Sequence, residues 1–237
     1  MASDDTSWST AEAITYDEFA EKSFSWRCTE EPALRSLIEP CISETTAALD
    51  LGCGGGRIIR LLERLGMPEN AIFGIDSDQT LIQIAHQKYP QARLVCQDIT
   101  QTPYDAMPKI DLATAHFVLQ YLSVDDLLQC LAELHRLLTP VGYLAVGLPH
   151  PARVAQQAGV SYFAGGSHRI PAPWGGLTRS SSLTVSDYLN CLIEAGFALR
   201  RIAEPDIRKC CRHESGAHAY AAGPTRLMVL AQARAIS

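Results

Sequence analysis

Ala48-Leu49-Asp50-Leu51-Gly52-Cys53-Gly54-Gly55-Gly56 is a short apolar run that breaks into closely spaced glycines. Ile58, Leu61, Leu62 and Leu65 follow at i, i+3, i+4 and i+7, so the order reads strand, tight turn, helix. Glycine permits positive φ and close approach of a ligand to the main chain, and the helix N-terminus beyond offers unpaired N–H groups to an anionic group. The spacing selects among nucleotide sites. A dinucleotide fingerprint needs a third glycine where Arg57 stands, whereas here glycines recur at every second position after an acid.

Working outward, the helix stops at Gly66 and Pro68, and Ala71-Ile72-Phe73-Gly74-Ile75 forms a second strand ending in Asp76. That acid lies about 20 residues past the glycines, where a carboxylate accepts hydrogen bonds from both ribose hydroxyls. Ser77 or Asp78 is placed to cap the helix carrying Leu81, Ile84 and Ala85. Ala92-Arg93-Leu94-Val95 reads as a third strand, again with an acid, Asp98, and then Ile99 just past it. By itself Asp98 is equally readable as a local Asx-turn. The fourth strand, 110–115, ends at Ala115 and leads into His116 and Phe117, which should line the crevice at the strand ends. Ser123 with Asp126 opens a helix striped by Leu127, Leu131, Leu134 and Leu138, which Thr139-Pro140-Val141-Gly142 ends. The fifth strand, 143–148, runs into Pro149-His150-Pro151.

Before the glycine turn, residues 1–13 are polar and read as flexible, and 14–45 form a helical cap with Tyr16, Phe19, Phe24 and Trp26. After the fifth strand, 151–183 shows no clear period and carries Tyr162, Phe163, His168 and Trp174. An irregular insertion of that length reads as a lid. A helix to Gly196 and two strands, 197–205 and 226–231, complete the pattern. Alternating strands and helices predict one α/β domain with a mostly parallel sheet.

Length and composition exclude other classes. The 237 residues bury a core without staples, and a net charge of −6 opposes a nucleic-acid partner while leaving room for a local basic patch. No apolar run reaches the ~20 residues that span a bilayer. Eight scattered cysteines without a Cys-x-x-Cys read as reduced thiols in a cytoplasmic protein. Cys210, Cys211, His213 and His218 match no familiar metal spacing, and no metal is expected.

The stretch from Asp50 to Gly56, followed by Asp76, resembles the cofactor loop of class I S-adenosylmethionine-dependent methyltransferases, and His150-Pro151, the lid, Leu192-Ile193-Glu194-Ala195-Gly196-Phe197 and Glu204-Pro205 further resemble the members that act on small molecules and natural products. The resemblance extends over most of residues 16 to 234 and is weakest in the lid. It implies a Rossmann-like three-layer sandwich with seven strands, the last antiparallel. It also implies S-adenosyl-L-methionine held by Asp50, Gly52, Cys53, Gly54, Gly56, Asp76 and Ser77, with Ala115, Phe117 and Tyr16 around it. Asp98 would take the adenine amino group and Ile99 would lie against the ring, which suits an acceptor-only carboxylate. Trp26, His150, Tyr162, Phe163, His168 and Trp174 would face a small-molecule methyl acceptor. Each aromatic also has a plain packing reading. His150 stands at the carboxyl end of the fifth strand as base or positioning group, with His116 as the other catalytic candidate; either could instead be a packed or loop-bonded residue. The expected activity is methyl transfer to N, O, S or C of a metabolite, by a monomer or homodimer. A nicotinamide-dependent oxidoreductase and a non-catalytic cofactor-binding subunit are the alternatives.

Overall fold

The computed structural model describes residues 9–220 and 223–234. Of the stretch expected to be flexible, 1–8 lies outside the described residues, and the remainder is helical. Ser9 caps α1 (Thr10–Ala20) through a reciprocal bond with Glu12, which satisfies amides that would otherwise be orphaned. A π-helical turn (Trp26–Glu30) feeds directly into α2 (Glu31–Ile42), whose Leu34, Leu37 and Ile38 are buried.

The glycine turn joins β1 (Ala48–Leu51) to α3 (Arg57–Arg64), and β2 (Ile72–Asp76), α4 (Gln79–Lys88), β3 (Arg93–Cys96) and β4 (Ile110–His116) follow. Then come α5 (Val124–Leu137) and β5 (Leu138–Pro149), so the Thr139–Gly142 stretch expected to end the helix belongs to the strand. β5 accommodates it through a register shift against β4 between Ile110 and Leu112.

The region 151–183, expected to be irregular, is α6 (Pro151–Ala158) and a hairpin of β6 (Ser167–Pro171) and β7 (Leu177–Ser181). Only Ile170 of β6 is buried, so the strand carries no apolar alternation to announce it. α7 (Val185–Glu194), β8 (Phe197–Ala203) and β9 (Arg226–Ala233) close the chain.

The main sheet has seven strands in the order β3-β2-β1-β4-β5-β9-β8. β1 to β5 pair in parallel and β9 runs antiparallel to both its neighbours, as expected for the fold. Ile38, Ile59, Leu62 and Ile82 cover one face over Ala48, Ile72 and Leu112. Leu131, Leu134 and Leu192 cover the other over Leu49, Leu51 and Ile75. β1 is thus buried on both sides, the reason its apolar residues are continuous rather than alternating. Strand order reverses between β1 and β4, and the crevice opens outside their carboxyl ends.

The cysteines depart from the reading as reduced thiols. Cys28 in the π turn is bonded to Cys211 in the β8–β9 connection, with Cα atoms 6.0 Å apart. They are separated by 183 residues, so only the fold brings them together. Cys210, His213 and His218 are exposed. No described helix is long and apolar enough to cross a membrane.

Candidate active site

The glycine turn takes the backbone that its sequence requires. Gly52, Gly54 and Gly56 have φ of +65°, +51° and +92°, in the region closed to most side chains. Asp76 fixes the turn from β2: Oδ2 accepts from the Gly54 amide at 2.8 Å and Oδ1 from the Asp78 amide at 2.9 Å. Burial nevertheless raises the Asp76 pKa. Two lone pairs per oxygen leave it able to accept from further donors. Asp78, through its own side chain, caps α4. Asp50 is buried in β1, with Oδ1 2.7 Å from Thr114 Oγ1 and Oδ2 without a partner. Burial pushes its pKa up to about 7.

Tyr16, Gly52, Cys53, Gly54 and His116 line one crevice, joined by Arg57. Its open space is about 10 Å³, room for roughly one water. α1 fills the remainder: a Cβ on Gly55 would fall 1.8 Å from Asp17 Oδ1, and one on Gly54 would touch the Tyr16 ring. Trp174, in the hairpin turn, packs edge-on against Tyr16 at 4.9 Å and near Phe19 at 6.4 Å. Cap and insertion therefore meet above the glycines. The acid-anchored turn, Asp76 at the β2 terminus and the exposed Asp98 beyond β3 fit an adenosyl cofactor in chemistry, provided α1 shifts to admit it.

The other expected residues are dispersed. Ser77 and Asp98 are exposed, and Asp98 makes the Asx-turn, accepting from the Thr100 amide and hydroxyl. Ile99 is buried, and its carbonyl accepts from Tyr104. Ala115 is buried in β4, and Phe117 just past the strand has φ +59°, a strained conformation at the point where strand order reverses. In the insertion, the Tyr162 hydroxyl accepts from the Val185 amide, His168 Nε2 lies 2.9 Å from the Gly165 carbonyl, and Phe163 is 81% exposed. Of those four aromatic residues only Trp174 is seen against the cap.

His150, offered as a base or positioning group or as a loop-bonded residue, is buried at the end of β5. Its prolines set it as the N-cap of α6, where Nδ1 accepts from the Ala152 amide, and Nε2 lies 2.7 Å from Glu204. His116 is also engaged. Nε2 is 3.3 Å from Glu30, and its ring occupies space that a Cβ on Gly147 would enter at 2.1 Å from Nδ1. Burial lowers the His116 pKa and so favours the neutral ring.

Around His116 lies a buried charge network that the sequence did not reveal. Glu30 receives Arg226 Nε at 2.7 Å and has Arg57 at 3.8 Å. These cations hold its carboxyl below the usual range despite burial. Arg226 also lies over Phe117, and Arg57 over Trp26. Trp26 packs edge-on to His116, so this aromatic belongs to the network. A charged residue opening an otherwise apolar last strand was the one available signal for Arg226.

A family pattern described as a methyltransferase domain matches residues 49–146. The chain is 34% identical over 119 residues to a trans-aconitate 2-methyltransferase of Variovorax paradoxus, covering 50% of this chain and 44% of that one. Another, from Paracidovorax citrulli, is 27% identical over 167 residues, 68% of this chain and 61% of that one. Both matches thus span less than two thirds of the relative. Among solved structures, a putative S-adenosylmethionine-dependent methyltransferase from Listeria monocytogenes superposes with a TM-score of 0.73 at 19% identity, over 86% of this chain and 96% of that one. One from Mesorhizobium loti gives 0.69 at 22%, over 85% and 96%; at such identities the likeness speaks for the fold. The reversal of strand order and the antiparallel last strand give this chain the fold of class I S-adenosylmethionine-dependent methyltransferases, and the stretch that matches the methyltransferase-domain pattern takes in the acid-anchored turn.

Proposed function

We propose that this protein transfers a methyl group from S-adenosylmethionine to a small carboxylic acid. The observation that carries cofactor binding is the Gly54–Asp76 bond, which places an acid and a positive-φ turn together at the carboxyl ends of β1 and β2. Arg57 in place of the third dinucleotide glycine weighs against a nicotinamide cofactor. The retained acids Asp76 and Asp98 weigh against a subunit that has lost its cofactor site.

When bound, the cofactor supplies a methyl group already activated on a sulfonium. The residues have only to bind, align and exclude water. A carboxylate acceptor suits this site for two reasons. Its oxygen brings a lone pair with no proton to remove, and both histidines proposed from sequence have protein partners, His150 with Glu204 and His116 with Glu30. Arg226, paired with Glu30, lies over Phe117, and Arg57 lines the glycine-turn crevice, so two guanidinium groups stand where a carboxylate acceptor would need cations. The relatives named for trans-aconitate, a tricarboxylate, support the same class.

Two measurements test this. Calorimetry with S-adenosylhomocysteine, NAD and NADP should show binding of the first alone. Transfer of labelled methyl from S-adenosylmethionine to a panel of acids including trans-aconitate should then give a base-labile ester. Label appearing only on amines or thiols would overturn the carboxylate reading and leave the cofactor assignment standing.

A further inference from the structure

A second cavity, of about 380 Å³, lies between the cap and the outer side of α3. Five cations line it: Lys22 and Arg27 from the cap side, and Arg57, Arg60 and Arg64 along α3. In a chain of net charge −6 this is a concentration against the overall balance. The two lining acids are already engaged. Glu21 pairs with Arg60, and Glu31 lies 3.0 Å from Arg35 outside the cavity wall. Arg27 pairs with Glu214, and Arg57 lies over Trp26 at 4.6 Å. Lys22 and Arg64 have no carboxylate partner among the described residues.

We propose that this groove binds a small multivalent oxyanion, bearing phosphate or carboxylate groups, with Lys22 and Arg64 supplying the charge not neutralised within the protein. The volume falls in the range of small-molecule sites, roughly 300–1,000 Å³. Arginine forks match the planar oxygens of both groups. Glu21 and Glu31 on the lining oppose an extended polyphosphate backbone, which favours a compact ligand over a nucleic acid. Arg57 is the wall shared with the glycine-turn crevice, but the groove itself lies on the other side of that residue. The proposal stands independently of the methyl-transfer reading.

The test is calorimetric titration of the full chain with pyrophosphate and, separately, citrate, with ionic strength held constant by sodium chloride. Saturable binding of one equivalent is expected with at least one probe, weakened roughly tenfold or more in the Lys22→Gln/Arg64→Gln double variant. Neither residue pairs with a carboxylate, so the variant's Tm and its affinity for S-adenosylhomocysteine should match those of the parent. A response to pyrophosphate alone identifies a phosphate ligand, and to citrate alone a polycarboxylate. Three results overturn the proposal: no saturation with either probe by about 1 mM; equal affinity in parent and double variant; or a single-stranded oligonucleotide that binds through the same residues more tightly than both probes.

Discussion

The amide of Gly54 lies 2.8 Å from Asp76 Oδ2, so the acid that ends β2 holds the glycine turn from a neighbouring strand. Asp76 thus supports the turn, and the proposed cofactor site gives it a second task, offering lone pairs to ribose. Asp76→Ala should weaken S-adenosylhomocysteine binding by roughly ten- to a hundredfold, the loss expected from hydrogen bonds to a charged group. Asp76→Asn retains one acceptor and should fall between. Calorimetry reads both, and unchanged affinity in the alanine variant would remove Asp76 from the site.

Trp174 packs against Tyr16, whose ring lines a crevice with about 10 Å³ of open space. An adenosyl ligand that enters here displaces Tyr16, and the Trp174 contact holds that ring in place. Trp174→Ala should raise the association rate for S-adenosylhomocysteine, because less packing must be lost first. Stopped-flow fluorescence measures it; an association rate equal to or below the parent's would show that the contact does not gate entry.

What could be read in the sequence was local. The glycine spacing, Asp76 and the parallel strands follow from neighbours in the chain, since a strand buried on both faces is apolar throughout. What could not be read was long-range or weakly patterned. Glu30 meets Arg226 across 196 residues, and Cys28 meets Cys211 across 183, with no periodicity to link them. β6 escaped because its one buried residue, Ile170, gives no alternation, and β7 because its buried residues, Ser180 and Ser181, are polar and adjacent. His150 was located correctly at a strand end, but which way its ring turns depends on Glu204, 54 residues on, and on the helix that Pro151 opens.

Asp50 gives a pH signature. Its pKa is raised from 3.8 to about 7 by burial, so between those values the folded protein holds a proton that the unfolded chain has released. This contribution makes stability fall as pH rises from about 4 to about 7 and level off above. Asp50→Asn cannot ionise. The difference in Tm between variant and parent should therefore move in the variant's favour across that window, whatever its fixed offset. A difference independent of pH would show that Asp50 titrates normally.

The Cys28–Cys211 bond predicts a thiol count. Unfolded without reductant, the protein should expose six thiols of its eight cysteines to a colorimetric thiol reagent. Reduction should raise the count to eight and lower stability by several kcal/mol at most, since the bond closes a loop through most of the chain. Eight thiols before reduction would restore the reading from sequence.

His150 decides between base-assisted and base-free transfer. Its Nδ1 caps α6 and its Nε2 faces Glu204, so removal of an acceptor proton would require the ring to give up one of these partners. If the acceptor is a carboxylate, no proton has to be removed and His150→Gln should keep its rate within a few-fold. The cost should appear instead in stability, about 1 kcal/mol for a weakened N-cap. His150→Ala should cost somewhat more stability and no more rate. General base assistance is worth roughly 10²–10⁴-fold, so the two roles are well separated in magnitude. Measuring kcat and Tm for both variants distinguishes them. A hundredfold loss of kcat in the glutamine variant at unchanged Tm would make His150 a base and would count against an acceptor that carries no proton.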